Sequence, residues 1–314
     1  LAKIPTVNLT AGCLHGCLYC YARSYRQYPG EGRIVLYENT LDLLRDELSR
    51  RRTKPERVYF SPSADLFQPA REVLELAEAI VRFLLGQGIG VSFVSKGHIP
   101  DHLLKVLCDY PDLVRAQVGI ITLDEGITAT FEPNAACPER RLWQLERLIS
   151  AGIAAEARVD PILPTVTDGP DALDRLFAVL ADVGVRRAAI DALFLRPAIA
   201  FSLRRGVHDR QALSRLLAEF PATDGSPEAS QTYTRRLPRE RRREMFKSVR
   251  RIAAARGIEV SVCACENPDL ARGTCNLAGN RLNEGGRPQQ LSLGSFDGRV
   301  WGAAFAPFRP SMLG

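Results

Sequence analysis

The sequence predicts an α/β fold, a partial (β/α)6 TIM barrel with a small C-terminal extension that bears cysteines. Three observations carry this expectation. Apolar, β-rich runs alternate with amphipathic helical stretches between residues 4 and 196, the pattern of a parallel sheet with an outer layer of helices. The runs number six, which suits a partial barrel better than a closed eight-stranded one. Several of the helical stretches end on glycine, as a helix stop should.

The elements follow in order. IPTVNLT (4–10) is the first strand candidate and ENTLDLLRDELSR (38–50) the first helix. RVYFSP (57–62) and GVSFVSKG (90–97) are strands rich in β-branched and aromatic residues. Between them AREVLELAEAIVRFLLGQG (70–88) repeats its apolar residues at helical spacing. DHLLKVLCDY (101–110) continues as helix, with Cys108 on its apolar side, and VRAQVGIITL (114–123) as strand. PERRLWQLERLISAG (138–152), AAEARVDPIL (154–163), DALDRLFAVLADVG (171–184) and RRAAIDALFLR (186–196) complete the alternation. Beyond about residue 200 the regularity weakens. Residues 220–235 are rich in Ser, Thr, Pro and Gly and read as a linker or active-site loop. An arginine-rich helix is expected over 239–256, with Pro238 at its start, and then a short strand leading into a cysteine-bearing loop. The expected division is a barrel over 1–220 and an extension over 221–314.

Composition narrows the class. Of 314 residues 46% are hydrophobic and 25% charged, ordinary for a globular protein with a sizeable core. No apolar run approaches the roughly 20 residues of a membrane span and nothing resembles a signal peptide, so a cytoplasmic protein is the expectation. The net charge of +6 hints at an anionic partner, nucleic acid included. The eight cysteines are clustered rather than dispersed. In a chain without an export signal, that clustering reads as metal binding before cross-linking.

Cys13-x3-Cys17-x2-Cys20 lies in NLTAGCLHGCLYCYARSY (8–25), in the loop after the first strand. In a parallel barrel that loop sits at the C-terminal rim, where active sites are built. Zinc in a structural site takes four protein ligands, and His15 is the one further donor inside the loop. Three thiolates also suit a [4Fe–4S] cluster with one iron left open to a small chelating ligand.

These residues resemble the radical S-adenosylmethionine (SAM) superfamily, whose Cys-x3-Cys-x2-Cys follows the first strand of a partial barrel with an aromatic residue before the last cysteine, here Tyr19. The blocks SPSADLFQPAREVLELAEAIVRFLLGQGIGVSFVSKG and GIITLDEGITATFEPNAACPERRLWQLERLISAGIAAEARVDPILP are similar to its spore photoproduct lyase-like branch, over about residues 5–200. The resemblance implies a [4Fe–4S] cluster on Cys13, Cys17 and Cys20, SAM chelated at the open iron, and an electron donor such as flavodoxin or ferredoxin. It implies a SAM pocket of Tyr19, Ser61, Ser63 and Asp65 after the second strand, Ser95 and Lys96 after the third, and Glu156 and Arg158 on a later one. Glu156, Arg158 and Asp160 alternate, so they share one strand face. An interior salt bridge is the competing reading for that trio. In the branch's namesake a hydrogen-atom-donating cysteine follows the second strand, and YFSPSADLF has none there. Thymine-dimer splitting is therefore not carried over.

VCACENPDLARGTC holds Cys263, Cys265 and Cys275. Buried structural thiols, a zinc site and an auxiliary Fe–S cluster are all open readings, and the second, auxiliary cluster is the preferred one because the group follows a barrel of this kind. Cys137, just before Pro138, would sit on the active-site side as a hydrogen-atom donor or fourth ligand, or as an inert loop residue. In the arginine-rich helix Met245, Phe246, Val249, Ile252 and Ala253 form an apolar stripe. Its charged faces are either a solvated surface or a phosphate-binding one. The expected function is radical modification of a nucleic-acid or nucleotide-like substrate. The alternative is modification of a peptide or small metabolite, sulfur insertion included, through the second cluster. A third reading is a metal- or nucleic-acid-binding protein on an inactive barrel.

Overall fold

The computed structural model describes residues 5–221, 234–264 and 267–271, together with the backbone of 310–313. The strands are β1 (Thr6–Val7), β2 (Thr10–Ala11), β3 (Ile34–Tyr37), β4 (Arg57–Phe60), β5 (Gly90–Ser95) and β6 (Val114–Gly119). They continue with β7 (Ala154–Ile162), β8 (Arg187–Ala192), β9 (Phe194–Leu195), β10 (Arg235–Arg236), β11 (Glu259–Val262) and β12 (Pro310–Leu313). The helices are α1 (Thr40–Arg50), α2 (Arg71–Gly86), α3 (Asp101–Cys108), α4 (Glu125–Phe131), α5 (Pro138–Ser150), α6 (Pro170–Asp182), α7 (Pro197–Gly206), α8 (Arg210–Ala218) and α9 (Arg239–Ala255).

A seven-stranded sheet runs in the order β1-β4-β5-β6-β7-β8-β11, every pair parallel. The six expected strands are all in it, in sequence order. The seventh, β11, comes from the stretch assigned to the extension and pairs with β8 from Glu259↔Arg187 to Val262↔Ile190. Helices cover the outer face, so the strands are buried on both sides, as continuous apolar runs in a parallel sheet require. Phe60, Phe93, Phe177 and Phe246 are 1% exposed or less. Phe67 meets Phe93 edge-to-face at 5.1 Å. Cys108 packs, half-buried, against this core, as its helical position predicts.

Three local departures have physical causes. The first predicted strand breaks after Val7: Thr10 and Ala11 turn away to pair with β3, which also pairs with β12. The fourth strand ends at Gly119, and the unforeseen α4 follows, capped by Asp124, whose side chain accepts from Ile127 N at 2.8 Å. Aspartate before a glycine-bearing stretch is a weak helix signal against the apolar IITL that precedes it. The last strand splits at Leu193, and β9 pairs antiparallel with β10. By contrast α5, α6 and α7 begin where proline sits, at Pro138, Pro170 and Pro197.

The apolar stripe of α9 is buried as its spacing predicts, with Val249 and Ala253 fully so. Much of its charge is spent inside the chain. Arg241 meets Asp168 at 2.5 Å and Glu219 at 2.9 Å; Arg242, itself buried, bonds Asp269 and Asn267, each at 2.9 Å. Arg243 pairs with Glu240 and Arg256 with Asp174. Ion pairing of this kind lowers the charge the helix can offer to phosphates.

Candidate active site

The loop carrying Cys13, Cys17 and Cys20 follows β1 and β2 at the C-terminal edge of the sheet. Its shape is held by backbone contacts rather than by the thiols, which are free and partly buried. Gln68 accepts from Leu14 N at 2.9 Å and donates to Thr10 Oγ1 at 2.8 Å, and that hydroxyl donates to Gly12 O at 2.9 Å. Arg23 reaches back to Cys17 O (3.0 Å) and Gly16 O (2.9 Å). Gly12 has φ +81°, and a Cβ there would stand 2.6 Å from Arg33 O. Gly12→Ala is therefore expected to cost about 1–3 kcal/mol through left-handed strain and a backbone clash. Urea unfolding checks it, and an unchanged midpoint would show that the loop can shift.

Burial pushes the Cys17 thiol up to about 12, with the Glu132 carboxylate adding and Lys96 opposing. Burial raises Cys13 too, with Asp65 and Cys17 adding, and raises Cys20 against opposing backbone bonds and Arg23. Three thiolates so placed need a positive counter-charge, so a metal entering this loop must displace protons.

Asp65 is the hub of the next layer. Its carboxylate accepts from Ser95 Oγ (2.8 Å), Lys96 N (2.8 Å) and Phe67 N (2.8 Å), and His15 Nε2 lies 3.2 Å away. Burial alone would raise its carboxyl, but His15 and these donors outweigh it and hold it below the ordinary value. Ser63 donates through N and Oγ to Asn8 Oδ1, which ties this loop to the end of β1. Ser61, buried and at φ +55°, has a hydroxyl with no hydrogen-bond partner among the described residues.

A third layer lies on the β6–α5 connection. Glu132, 1% exposed, accepts from Tyr19 OH and meets Arg141 Nη2 at 2.5 Å and Lys96 Nζ at 3.9 Å. Burial and Glu132 push the Tyr19 phenol up, so it stays protonated. Lys96 crosses Gly119, where a Cβ would lie 2.8 Å from it, to donate to Asp160 O at 3.0 Å. Cys137 is exposed at the start of α5.

On β7 the alternation brings Glu156, Arg158 and Asp160 to one face, but they divide. Arg158 pairs with Asp160 at 2.6 Å, as the salt-bridge reading expects, and its other amino group donates to Gln117 at 3.0 Å. Glu156 accepts instead from Gln117, opposite it in register, and faces Arg187 at 3.6 Å. Neighbouring Asp191 accepts from Asn267 Nδ2 at 2.6 Å. Cys263, buried at the end of β11, lies beside this group; burial alone would lower Arg158, but the Asp160 carboxylate outweighs it and holds the guanidinium above its ordinary value, with Cys263 adding. Cys265 and Cys275 lie outside the described residues. Among the described residues no three His, Cys, Asp or Glu side chains close on a single metal-ion position.

Burial pushes the Asp191 carboxyl from 3.8 up to about 8, with Asp160 adding and Asn267 opposing. A folded value above the unfolded one means stability that is full below the unfolded value and lost as pH rises through the folded one. Raising the pH from 3.8 to 8 should therefore destabilise the parent chain relative to Asp191→Asn. A difference in urea midpoints that stays constant with pH would show Asp191 ionised throughout.

The structure thus brings Tyr19, Asp65, Ser95 and Lys96 together around the cysteine loop, with Ser61 and Ser63 beside them, and puts Glu156 and Arg158 further along the interior wall. Gln68, Arg23, Glu132, Asn134 and Arg141 were missed. Their partners are mostly backbone groups or residues tens of positions away, which no local pattern encodes. The donor set fits an iron–sulfur centre: three free thiols on one braced loop, with a buried unsatisfied hydroxyl nearby.

A family model described as the radical SAM superfamily matches residues 7–177. An uncharacterized protein of Mycobacterium tuberculosis is 28% identical over 200 residues, 61% of this chain and 59% of that protein. An uncharacterized protein of Acidianus two-tailed virus is 26% identical over 193 residues, 57% of this chain and 64% of that protein. The chain thus spans less than two thirds of the length of these curated relatives. Among solved structures, a spore photoproduct lyase variant superposes with a TM-score of 0.61 at 17% identity, over 82% of this chain and 76% of that one. A radical SAM methyltransferase from Sphaerobacter thermophilus gives 0.52 at 16%, over 82% and 65%. At such identities the likeness is one of fold.

Proposed function

The chain belongs to the radical SAM superfamily, and from that premise we propose that it reductively cleaves S-adenosylmethionine at a [4Fe–4S] cluster held by Cys13, Cys17 and Cys20. The observation that carries the reading is the braced loop of three free thiols at the C-terminal edge of the barrel. When bound, the cluster supplies the electron that splits the sulfonium into methionine and a 5′-deoxyadenosyl radical. The chain's own residues then have separable tasks. Gln68 and Arg23 hold the loop in shape. Asp65 orders Ser95 and the Lys96 backbone around it, and the free hydroxyl of Ser61 is available to a polar group of SAM. The apolar core below excludes water from the reacting end.

The substrate we propose is a nucleic acid or nucleotide-like molecule. The turn after Cys20 exposes Tyr21 (37%) and Tyr25 (43%), and α7, which packs on that turn, exposes Phe201 (57%) with Arg205 5.6 Å from its ring. Exposed rings interleaved with arginine suit stacked bases and a phosphate backbone. That surface lies next to the cysteine loop, whereas α9 has much of its charge paired internally. An external donor such as flavodoxin or ferredoxin would supply the electron. The second cluster on Cys263, Cys265 and Cys275 stays a proposal for the substrate side of the barrel. No helix among the described residues is long and apolar enough to cross a membrane.

Anaerobic reconstitution followed by dithionite and SAM tests the reading. About four irons per chain and formation of 5′-deoxyadenosine are expected, and about eight irons if the second cluster exists. Retention on single-stranded DNA or RNA that falls steeply with salt supports the substrate class. No retention at low salt would favour a peptide or small metabolite.

A further inference from the structure

The cysteine loop is clamped by a segment far from it in sequence. Phe131 O accepts from Leu18 N at 2.9 Å, Asn134 N donates to His15 O at 3.1 Å, and Asn134 Nδ2 donates to Leu14 O at 2.9 Å. Asn134 O lies 3.1 Å from His15 Nδ1. These contacts would hold the loop backbone whatever stood at position 132. Glu132 nevertheless places a carboxylate among them, almost wholly buried, at a desolvation cost that a purely structural clamp would not need. It accepts from Tyr19 OH, and it is itself held by Arg141 Nη2 at 2.5 Å and Lys96 Nζ at 3.9 Å. Arg141 is anchored in turn to Ala136 O and Gly119 O, at 2.6 and 2.7 Å. Lys96 Nζ lies 5.7 Å from the Tyr19 ring centroid. The ring next to Cys20 is therefore fixed at its hydroxyl by a rigid carboxylate and flanked by a cation.

We propose that Glu132 is a positioning residue for SAM, acting through Tyr19. Its carboxylate, braced by Arg141 and Lys96, sets the Tyr19 ring and with it the wall of the cofactor site beside Cys20. This rests on the cluster reading above. Glu132 touches neither cluster nor cofactor in this scheme. Tyr19 is the residue that does, and the β6–α5 connection decides how it is presented.

The test uses the anaerobically reconstituted full chain, its Tyr19→Phe and Glu132→Leu variants and the double variant; leucine is chosen because a glutamine oxygen could still accept from Tyr19 OH. Iron content and the change in the reduced-cluster EPR signal on titration with SAM are measured. Each single variant should keep its iron and weaken SAM binding about tenfold, the equivalent of one buried hydrogen bond. The double variant should be no worse than the weaker single, because both remove one link. Tyr19→Phe binding SAM like the parent would overturn the proposal, even if its melting temperature fell. So would a double variant whose loss is the product of the two singles. If Glu132→Leu does not fold, Tyr19→Phe decides alone, since it leaves the Glu132–Arg141 pair intact. A parent chain with no iron and no SAM-dependent signal would overturn the cluster reading and this inference together. A normal parent with unaffected variants overturns only the inference.

Discussion

Replacing Cys17 with alanine is expected to empty the cluster site. Iron should fall from about four per chain to near none after anaerobic reconstitution, and 5′-deoxyadenosine should disappear. The effect should be near total because three thiolates are the minimum that leaves one iron open, and His15, the nearest alternative donor, is engaged with Asp65 and Asn134. The variant should still fold. The loop is shaped by Gln68, Arg23 and Asn134 acting on backbone groups, and none of those bonds uses the thiol. Circular dichroism and urea unfolding of the iron-free proteins should therefore agree closely between parent and variant. Retained iron together with retained SAM cleavage would remove this loop from the mechanism. Loss of folding would show that the thiol, rather than the backbone brace, holds the loop.

The second large effect is on stability. Arg141 is 1% exposed and its guanidinium meets Glu132, Ala136 O and Gly119 O. Arg141→Met keeps much of the side-chain volume but strips Glu132 of its closest counter-charge, leaving Lys96 at 3.9 Å and the Tyr19 hydroxyl. Breaking a buried pair from one side costs about 3–5 kcal/mol. The urea midpoint should fall accordingly with the slope unchanged. Adding Glu132→Gln to Arg141→Met should recover part of the loss, since no uncompensated buried charge remains. A single variant within about 0.5 kcal/mol of the parent, the range of a neutral surface change, would mean that the Arg141–Glu132 contact contributes little to stability.

Much of the chemistry was legible because it is local. The cysteine spacing, the aromatic residue at 19 and the position of the loop after the first strand all lie within one short stretch. The six βα units were legible for the same reason: apolar periodicity and proline or glycine punctuation are read residue by residue. The buried stripe of α9 followed directly from its spacing. The strand trio shows where such reading stops. Alternation placed Glu156, Arg158 and Asp160 on one face, yet only Arg158 and Asp160 pair, because Gln117 and Arg187 arrive beside Glu156 from neighbouring strands.

What the sequence alone determined is the barrel and the loop of three thiols, since both are patterns of neighbouring residues. What only the tertiary structure decided is how that loop is held and what surrounds it. Asp65 became a hub that orders Ser95, Lys96 and His15 instead of a free carboxylate. β11 became a seventh strand of the sheet, and Arg241 and Arg242 of α9 turned to Asp168, Glu219 and Asp269. The physical reason is common to all of these. A buried charge or hydrogen-bonding group must find its partner in space, and parallel strand order brings residues such as Tyr19 and Glu132, 113 positions apart, within reach of one another.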